Sequence, residues 1–253
     1  MPSFRTTHPR FDLVICDIDG CLSPESSTPM DLESLTFVAE HNRLACERRD
    51  RPILTVCSGR PQPFAEAMCR LLQNTVAPCI AENGVWMYVP GSNDYIMDPA
   101  ITREHRSIVH EAAAWLEERY GGKGVSQQPG KSASVSLYHP DTAYLRSIAS
   151  EVESEFRRRG WPLRVSMTWL YINCDLAHVS KASGLDRLFA HARVSPERAA
   201  GIGDTTSDRP IAERVSYFAC PSNAVQEIRA MAAYTSPHPE ARGVADILER
   251  LPA

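Results

Sequence analysis

Four apolar residues running straight into an acidic turn, Leu13-Val14-Ile15-Cys16 and then Asp17-Ile18-Asp19-Gly20, constrain this chain more than any other stretch. An unbroken apolar run of that length suits a strand buried on both faces, as in a parallel sheet covered by helices. Successive strand residues point to opposite faces, so Asp17 and Asp19 project the same way, roughly 6–7 Å apart at the backbone. Carboxylates just past the carboxyl end of a buried strand lie where open α/β sheets place their ligands. Taken alone, the same four residues also read as a capped turn, being rich in turn formers.

The strand-then-helix grammar continues. A helix is expected from about Asp31 to Arg48, with Leu32, Leu35, Val38 and Ala39 at helical spacing. Pro52 to Cys57 reads as a second strand, Pro61 opens another helix where its missing N–H costs little, and Cys79-Ile80-Ala81 is a third strand. Asn83-Gly84 is a hairpin signal ahead of Val85 to Val89. After Ser180 the grammar returns, with a helix from Lys181 to about Ala190 and a strand Ala199 to Gly203 ending in Asp204. A helix after Ser207, a strand from Val215 to Ala219 and two terminal helices complete the chain.

From about Met87 to Asn173 the pattern differs. A helix from about Thr102 to Tyr120, expected to bury Ile108, Ala112 and Leu116, stops at Gly121-Gly122. Ser132 to Tyr138 alternates serines with Ala133, Val135 and Leu137, and Asp141 can cap a helix striped by Leu145, Ile148, Val152 and Phe156. Leu163 to Met167 alternates again, and Trp169 to Cys174 reads as a further strand. Strands with one polar face indicate an antiparallel sheet covered on one side. The expected fold is therefore α/β, a doubly wound and mostly parallel core of residues 1–86 and 177–253, with an α+β domain inserted at 87–176.

The formal charge of -4 gives no electrostatic reason to expect nucleic acid or an anionic membrane as partner. No apolar segment approaches the roughly 20 residues needed to cross a bilayer, and Met1 to Phe11 does not read as a signal peptide. The 8 cysteines are scattered without CxxC spacing, several inside apolar runs, which suits a reducing cytoplasm.

Three further segments bear on the acidic turn. Ser58-Gly59-Arg60 ends the second strand before a helix, offering a hydroxyl and oriented N–H groups to an anion. Gly203-Asp204 and Asp208 bring two more carboxylates to the end of another strand. Lys181 opens a helix, where a cation is mildly unfavourable unless something negative is near. Two carboxylates about 5 Å apart repel by roughly 3 kcal/mol at an effective dielectric near 20. If Asp17, Asp19, Asp204 and Asp208 converge, they need compensating charge, and a hard divalent cation such as Mg²⁺ beside phosphate supplies it, with Lys181.

Taken in order, Asp17-Ile18-Asp19-Gly20, Ser58-Gly59-Arg60, Lys181 with Gly184, and Gly203-Asp204 with Asp208 resemble the four motifs of the haloacid dehalogenase superfamily. Glu82-Asn83-Gly84 and Ser222-Asn223-Ala224 resemble its Cof-type branch, which carries a large inserted cap on a Rossmann-like core. The resemblance implies a phosphatase in which Asp17 is the nucleophile and Asp19 the general acid and base. It implies that Ser58, Gly59, Arg60 and Lys181 hold the phosphoryl group, with Asn83 and Asn223 lining the site. Mg²⁺ would be bound by Asp17, the Asp19 carbonyl and Asp204, with Asp208 assisting. Ser207, where the branch often has asparagine, and Cys21, where threonine or valine is common, depart from the pattern without removing a catalytic group.

The substrate implied is a small phosphorylated metabolite such as a sugar phosphate or phosphoglycolate, and the chain is expected as a monomer or small homo-oligomer. The polar strand face of Ser132, Ser134, Ser136, Arg164 and Ser166 either selects the substrate or is a solvated outer surface. Transfer of the phosphoryl group to another alcohol, as in a phosphomutase, and a catalytically silent binding domain are the alternative readings.

Overall fold

The computed structural model describes residues 9–168 and 170–252. The chain begins with β1 (Leu13–Cys16), α1 (Leu32–Arg48), β2 (Ile53–Val56), α2 (Gln62–Leu71) and β3 (Cys79–Ala81). β4 (Trp86–Val89) and β5 (Asp94–Met97) follow as antiparallel neighbours of β3. Then come α3 (Arg103–Tyr120), β6 (Ser126–Gln127), β7 (Ser134–Tyr138), α4 (Thr142–Arg159), β8 (Leu163–Met167) and β9 (Tyr171–Leu176). The last stretch is α5 (Lys181–Ala192), β10 (Ala199–Ile202), α6 (Arg209–Ala212), β11 (Tyr217–Cys220), α7 (Gln226–Arg229), β12 (Tyr234–Thr235) and α8 (Glu240–Glu249).

The main sheet runs β12-β11-β10-β1-β2, every pair parallel, and a bridge between Cys57 and Ile80 carries it on to β3. Alternate residues of β1 serve different cores. Val14 and Cys16 join Leu35, Val38, Val244 and Ile247 on one face, while Leu13 and Ile15 join Leu185, Leu188 and Ile211 on the other. All four are 4% exposed or less, which is why the run contains no polar residue. From β1 the chain builds outward to β2 and later, on the other side, to β10. The strand order reverses there, leaving a crevice at the carboxyl ends of β1 and β10.

Helix boundaries follow from their caps. Asp31 accepts from the backbone N–H of Glu33 and Ser34 and so fixes the start of α1, which ends at Arg49 in the left-handed region. Within α1, Asn42 is fully buried. Its amide bonds Leu54 N, Leu54 O and Leu72 O at 2.7–2.9 Å, satisfying the outer edge of β2.

The inserted sheet runs β6-β7-β9-β8, wholly antiparallel. α3 and α4 cover one face with Val109, Ala112, Leu116, Leu145, Ile148, Val152 and Phe156. The α3 stripe is rotated from expectation, with Val109 buried and Ile108 only half-buried. β9 begins at Tyr171; Trp169, where the strand was expected to start, lies outside the described residues, as do Met1 to His8. β12 between the terminal helices was not foreseen, because two residues carry no periodicity. The boundary expected between residues 86 and 87 falls inside β4, whose Met87, Tyr88 and Val89 pack into the cores of the main sheet. Among the described residues, no helix is long and apolar enough to cross a membrane.

Candidate active site

Asp17 continues β1 by one hydrogen bond, its N–H donating to Ile202 O at 3.0 Å, and its side chain turns into the crevice at 5% exposure. Gly20 makes the turn that follows. Its φ is +75°, and a Cβ there would fall 2.0 Å from Asp204 Oδ2, so only glycine lets the two loops approach. Asn223 then clamps them, donating to Gly20 O at 2.8 Å and to Asp204 Oδ2 at 3.3 Å.

Lys181, the first residue of α5, is 5% exposed. Its Nζ lies 3.0 Å from Asp17 Oδ1 and 2.7 Å from Asp208 Oδ1, which explains a cation at a helix N-terminus. Burial would lower its pKa, but Asp17 and Asp208 outweigh burial and hold it well above the usual lysine range. Asp208 is engaged through both oxygens: Oδ1 faces Lys181, and Oδ2 accepts from the N–H of Asp204 and of Thr205. It therefore shapes the Asp204 loop and steadies Lys181.

Carboxylate oxygens of Asp17, Asp204 and Asp208 lie within 4.8 Å of one another, all three residues buried. Among the described residues, Asp204 Oδ1 and Asp17 Oδ1 accept no hydrogen bond, although the latter faces Lys181. Three carboxylates against one ammonium leave uncompensated negative charge in a site nearly closed to water. Burial first, and Asp208 second, push Asp17 up to about 8 and Asp204 up to about 9. Orphaned hard oxygen donors with surplus negative charge fit a divalent cation of the Mg²⁺ type.

These shifts carry a prediction for the protein without metal. Both carboxyls start from 3.8, so between about pH 4 and pH 9 the folded state holds more protons than the unfolded one. Stability then falls as pH rises through that window. The thermal midpoint of chelator-treated protein is expected to decline across it, more shallowly in Asp17→Asn. An equal slope in the variant would contradict the assignment.

Asp19 and Arg60 sit across the crevice as a bidentate pair, with N–O distances of 2.5–3.0 Å. The Asp19 carboxylate is thus outside the three-carboxylate group. Ser58 is 1% exposed and its Oγ accepts from Arg60 N at 3.1 Å. Gly59 lies against Asn83, where a Cβ would meet Asn83 Oδ1 at 3.0 Å. Gly84, at φ +107°, admits Ser180 O at a distance a side chain would block, which brings the start of α5 against this loop. Asp17, Asp19, Ser58, Gly59, Arg60, Asn83 and Lys181 all line one cavity of about 380 Å³. Asn223 does not line it but holds its floor together.

The far wall is the polar face of the inserted sheet. Arg164, Ser166, Asn173 and Asp175 line the cavity with Lys131, whose Nζ donates to Ser136 Oγ at 2.5 Å. Of that face, Ser134 and Ser136 are 4% and 1% exposed and turn toward the main domain, whereas Ser132, Arg164 and Ser166 are exposed. Asp175, pushed up by burial against the pull of Lys131, Arg164 and Asn83, accepts from Asn83 Nδ2 at 3.1 Å. Sequence reasoning missed Lys131, Asn173, Asp175 and the side chain of Glu82. The strand period offered a signal for two of them, since Asn173 and Asp175 lie opposite Ser136 and Ser134 in register.

Comparison with known proteins places the chain in a family. Residues 92–248 match the family model described as haloacid dehalogenase-like hydrolase. The chain is 21% identical over 240 residues to a phosphoglycolate phosphatase of Sulfolobus acidocaldarius, covering 94% of this chain and 96% of that protein. Its fold is similar to that of the Thermoplasma acidophilum protein 0175, at a TM-score of 0.72 and 17% identity over 94% of this chain and 97% of that one. It is also similar to a HAD/COF-like hydrolase from Plasmodium vivax, at a TM-score of 0.73 and 16% identity over 95% of each chain. With the reversed strand order and the inserted antiparallel domain, the chain belongs to the haloacid dehalogenase-like hydrolases.

Proposed function

We propose that this hydrolase is a Mg²⁺-dependent phosphatase of small phosphate monoesters and that Asp17 is its nucleophile. The observation that carries the reading is the ion-paired Asp17–Lys181–Asp208 group, with Asp204 beside it, of which Asp17 and Lys181 line the cavity between the main sheet and the inserted sheet. Asp17 attacks phosphorus as the ester P–O bond breaks, and Asp19 gives a proton to the departing alkoxide. A water then attacks the aspartyl-phosphate, its proton goes to Asp19, and the bond to Asp17 breaks, restoring the carboxylate. Because both Asp19 oxygens accept from Arg60, Asp19 must exchange that partner for a proton and the ester oxygen as substrate enters. It is this proton that Asp19 gives to the alkoxide and recovers from the water. Lys181 and the Ser58 hydroxyl face the phosphoryl oxygens and offset their charge. Asp17 and Asp204 are the carboxylates that would hold Mg²⁺, and the cation when bound offsets the negative charge that gathers between nucleophile and phosphate.

The test is phosphate release from a panel of small esters, with Mg²⁺ and with chelator. Phosphoglycolate and sugar phosphates come first, the former on the strength of the Sulfolobus relative. Metal-dependent turnover is expected, and no turnover on any ester would overturn the reading. Mg²⁺ is also expected to raise the thermal midpoint by mass action, an effect Asp204→Asn should remove.

The leaving group would lie against the cap wall, where Lys131 presents its ammonium. Lys131→Met is expected to raise KM about tenfold for a hydroxylated leaving group and to change it little for acetyl phosphate. Equal effects on both esters would remove Lys131 from substrate recognition. The eight free cysteines, seven of them buried, support a reducing cytoplasm as the setting.

A further inference from the structure

Glu82 is 0% exposed, yet it does not line the catalytic cavity and has φ +50°, a conformation that residues other than glycine rarely take. Its carboxylate faces the cap. It accepts from Ser132 N at 2.8 and 3.0 Å, from Ala133 N at 2.8 Å and from Ser134 Oγ at 2.9 Å. Burial pushes the carboxyl above the usual range, and these donors offset part of that rise. The partners are the turn that carries Lys131 into the cavity and Ser134, the first residue of β7.

The backbone around Glu82 faces the other way. Glu82 N donates to Arg60 O at 2.8 Å and Asn83 N to Ser58 O at 3.0 Å, while the Asn83 side chain rests on Gly59. The Ser58–Arg60 loop therefore hangs on two hydrogen bonds from the residues whose side chains grip the cap. That loop carries Ser58 and the Arg60 that grips Asp19. A left-handed pair, Glu82 followed by Asn83 at φ +52°, is what lets one residue point its amide to the loop and its carboxylate to the cap.

We propose that Glu82 is a positioning residue that couples docking of the cap to the geometry of the Ser58–Arg60 loop, so that Asp19 and Lys131 are brought into register together. The carboxylate touches no reacting atom. It acts through the N–H groups of Ser132 and Ala133 on one side and through Arg60 and Ser58 on the other. The kinetic part of this inference rests on the phosphatase reading, and the structural part does not.

Glu82→Gln keeps the size of the side chain but turns an N–H toward the Ser132 N–H. It is expected to lower kcat about 10- to 100-fold on the best ester, with a smaller change in KM. Glu82→Ala should do worse, so that glutamine acts as a partial rescue. Ser134→Ala removes one donor from the cap side. Its loss combined with Glu82→Gln should be less than additive, because both act through one contact. Hydrogen exchange at the Ser132, Ala133 and Asn83 amides should quicken together in Glu82→Gln, with or without substrate. A variant whose melting point falls while kcat, KM and the Asn83 amide stay as in wild type would make Glu82 a purely structural contact and overturn the proposal. Strictly additive losses would do the same. If wild type hydrolyses no ester, the phosphatase reading fails by itself, and the exchange data still decide whether cap and loop are coupled.

Discussion

Asp17→Asn is expected to lose about 10⁴-fold or more of the metal-dependent phosphate release, with the fold intact. The asparagine is nearly isosteric, so the crevice keeps its shape, but an amide oxygen cannot form a stable acyl phosphate. One of the three clustered carboxylates also disappears, and with it part of the repulsion that raises Asp204. The variant should therefore be at least as thermally stable as wild type in chelator while being inactive. That pairing of outcomes is the informative one, because inactivation through misfolding would lower both. Measuring phosphate release beside the melting point separates the two, and turnover that survives in a pure preparation would rule Asp17 out as nucleophile.

Lys181→Met is expected to have the largest combined effect on activity and stability. The methionine preserves much of the stem's packing but removes the charge that lies 3.0 Å from Asp17 and 2.7 Å from Asp208. Breaking a buried ion pair from one side costs about 3–5 kcal/mol, since the remaining carboxylate is left uncompensated. Part of that cost is relieved by protonation, so the destabilisation should be largest at alkaline pH and smaller near pH 5. Activity should fall about 10³-fold, the scale of losing a preorganised charge at a developing anion. Denaturant midpoints at two pH values, with kinetics at saturating Mg²⁺, test both parts. A variant as stable as wild type at pH 8 would mean that Asp17 and Asp208 do not depend on Lys181.

The core was legible in the sequence because its strands carry their own signature. Leu13 to Cys16 and Ala199 to Ile202 are apolar on both faces, and each ends at a chemically marked residue. Asp31 and Asp141 were legible as helix starts because an N-cap is a local interaction, settled by the next three residues. The cap's serine strand was ambiguous for a physical reason. Period-two alternation says that one face is polar, but not whether that face meets water or other polar groups, and here Ser134 and Ser136 meet Glu82 and Lys131. Glu82 was seen only as the first residue of the Glu82-Asn83-Gly84 motif carried by the family resemblance. Its partners are about fifty positions away, and no local pattern distinguishes a buried carboxylate with three donors from an exposed one. Asn223 was expected to line the site and instead binds the Gly20 and Asp204 loops to each other, a role that appears only once both loops are placed.

The position of β1 at the middle of the main sheet bears on how the chain can be made. Leu13 pairs with Ile53 on one side and with Ala199 on the other, so the innermost strand has one partner early and the second only near the end of synthesis. While the cap is being translated, an apolar strand with an unsatisfied backbone edge waits on the nascent chain. Such edges recruit foreign strands, and pairings of long sequence separation form slowly. The hazard for this protein therefore lies on the ribosome more than in the finished molecule, and any fragment ending before Ala199 keeps that edge open for good.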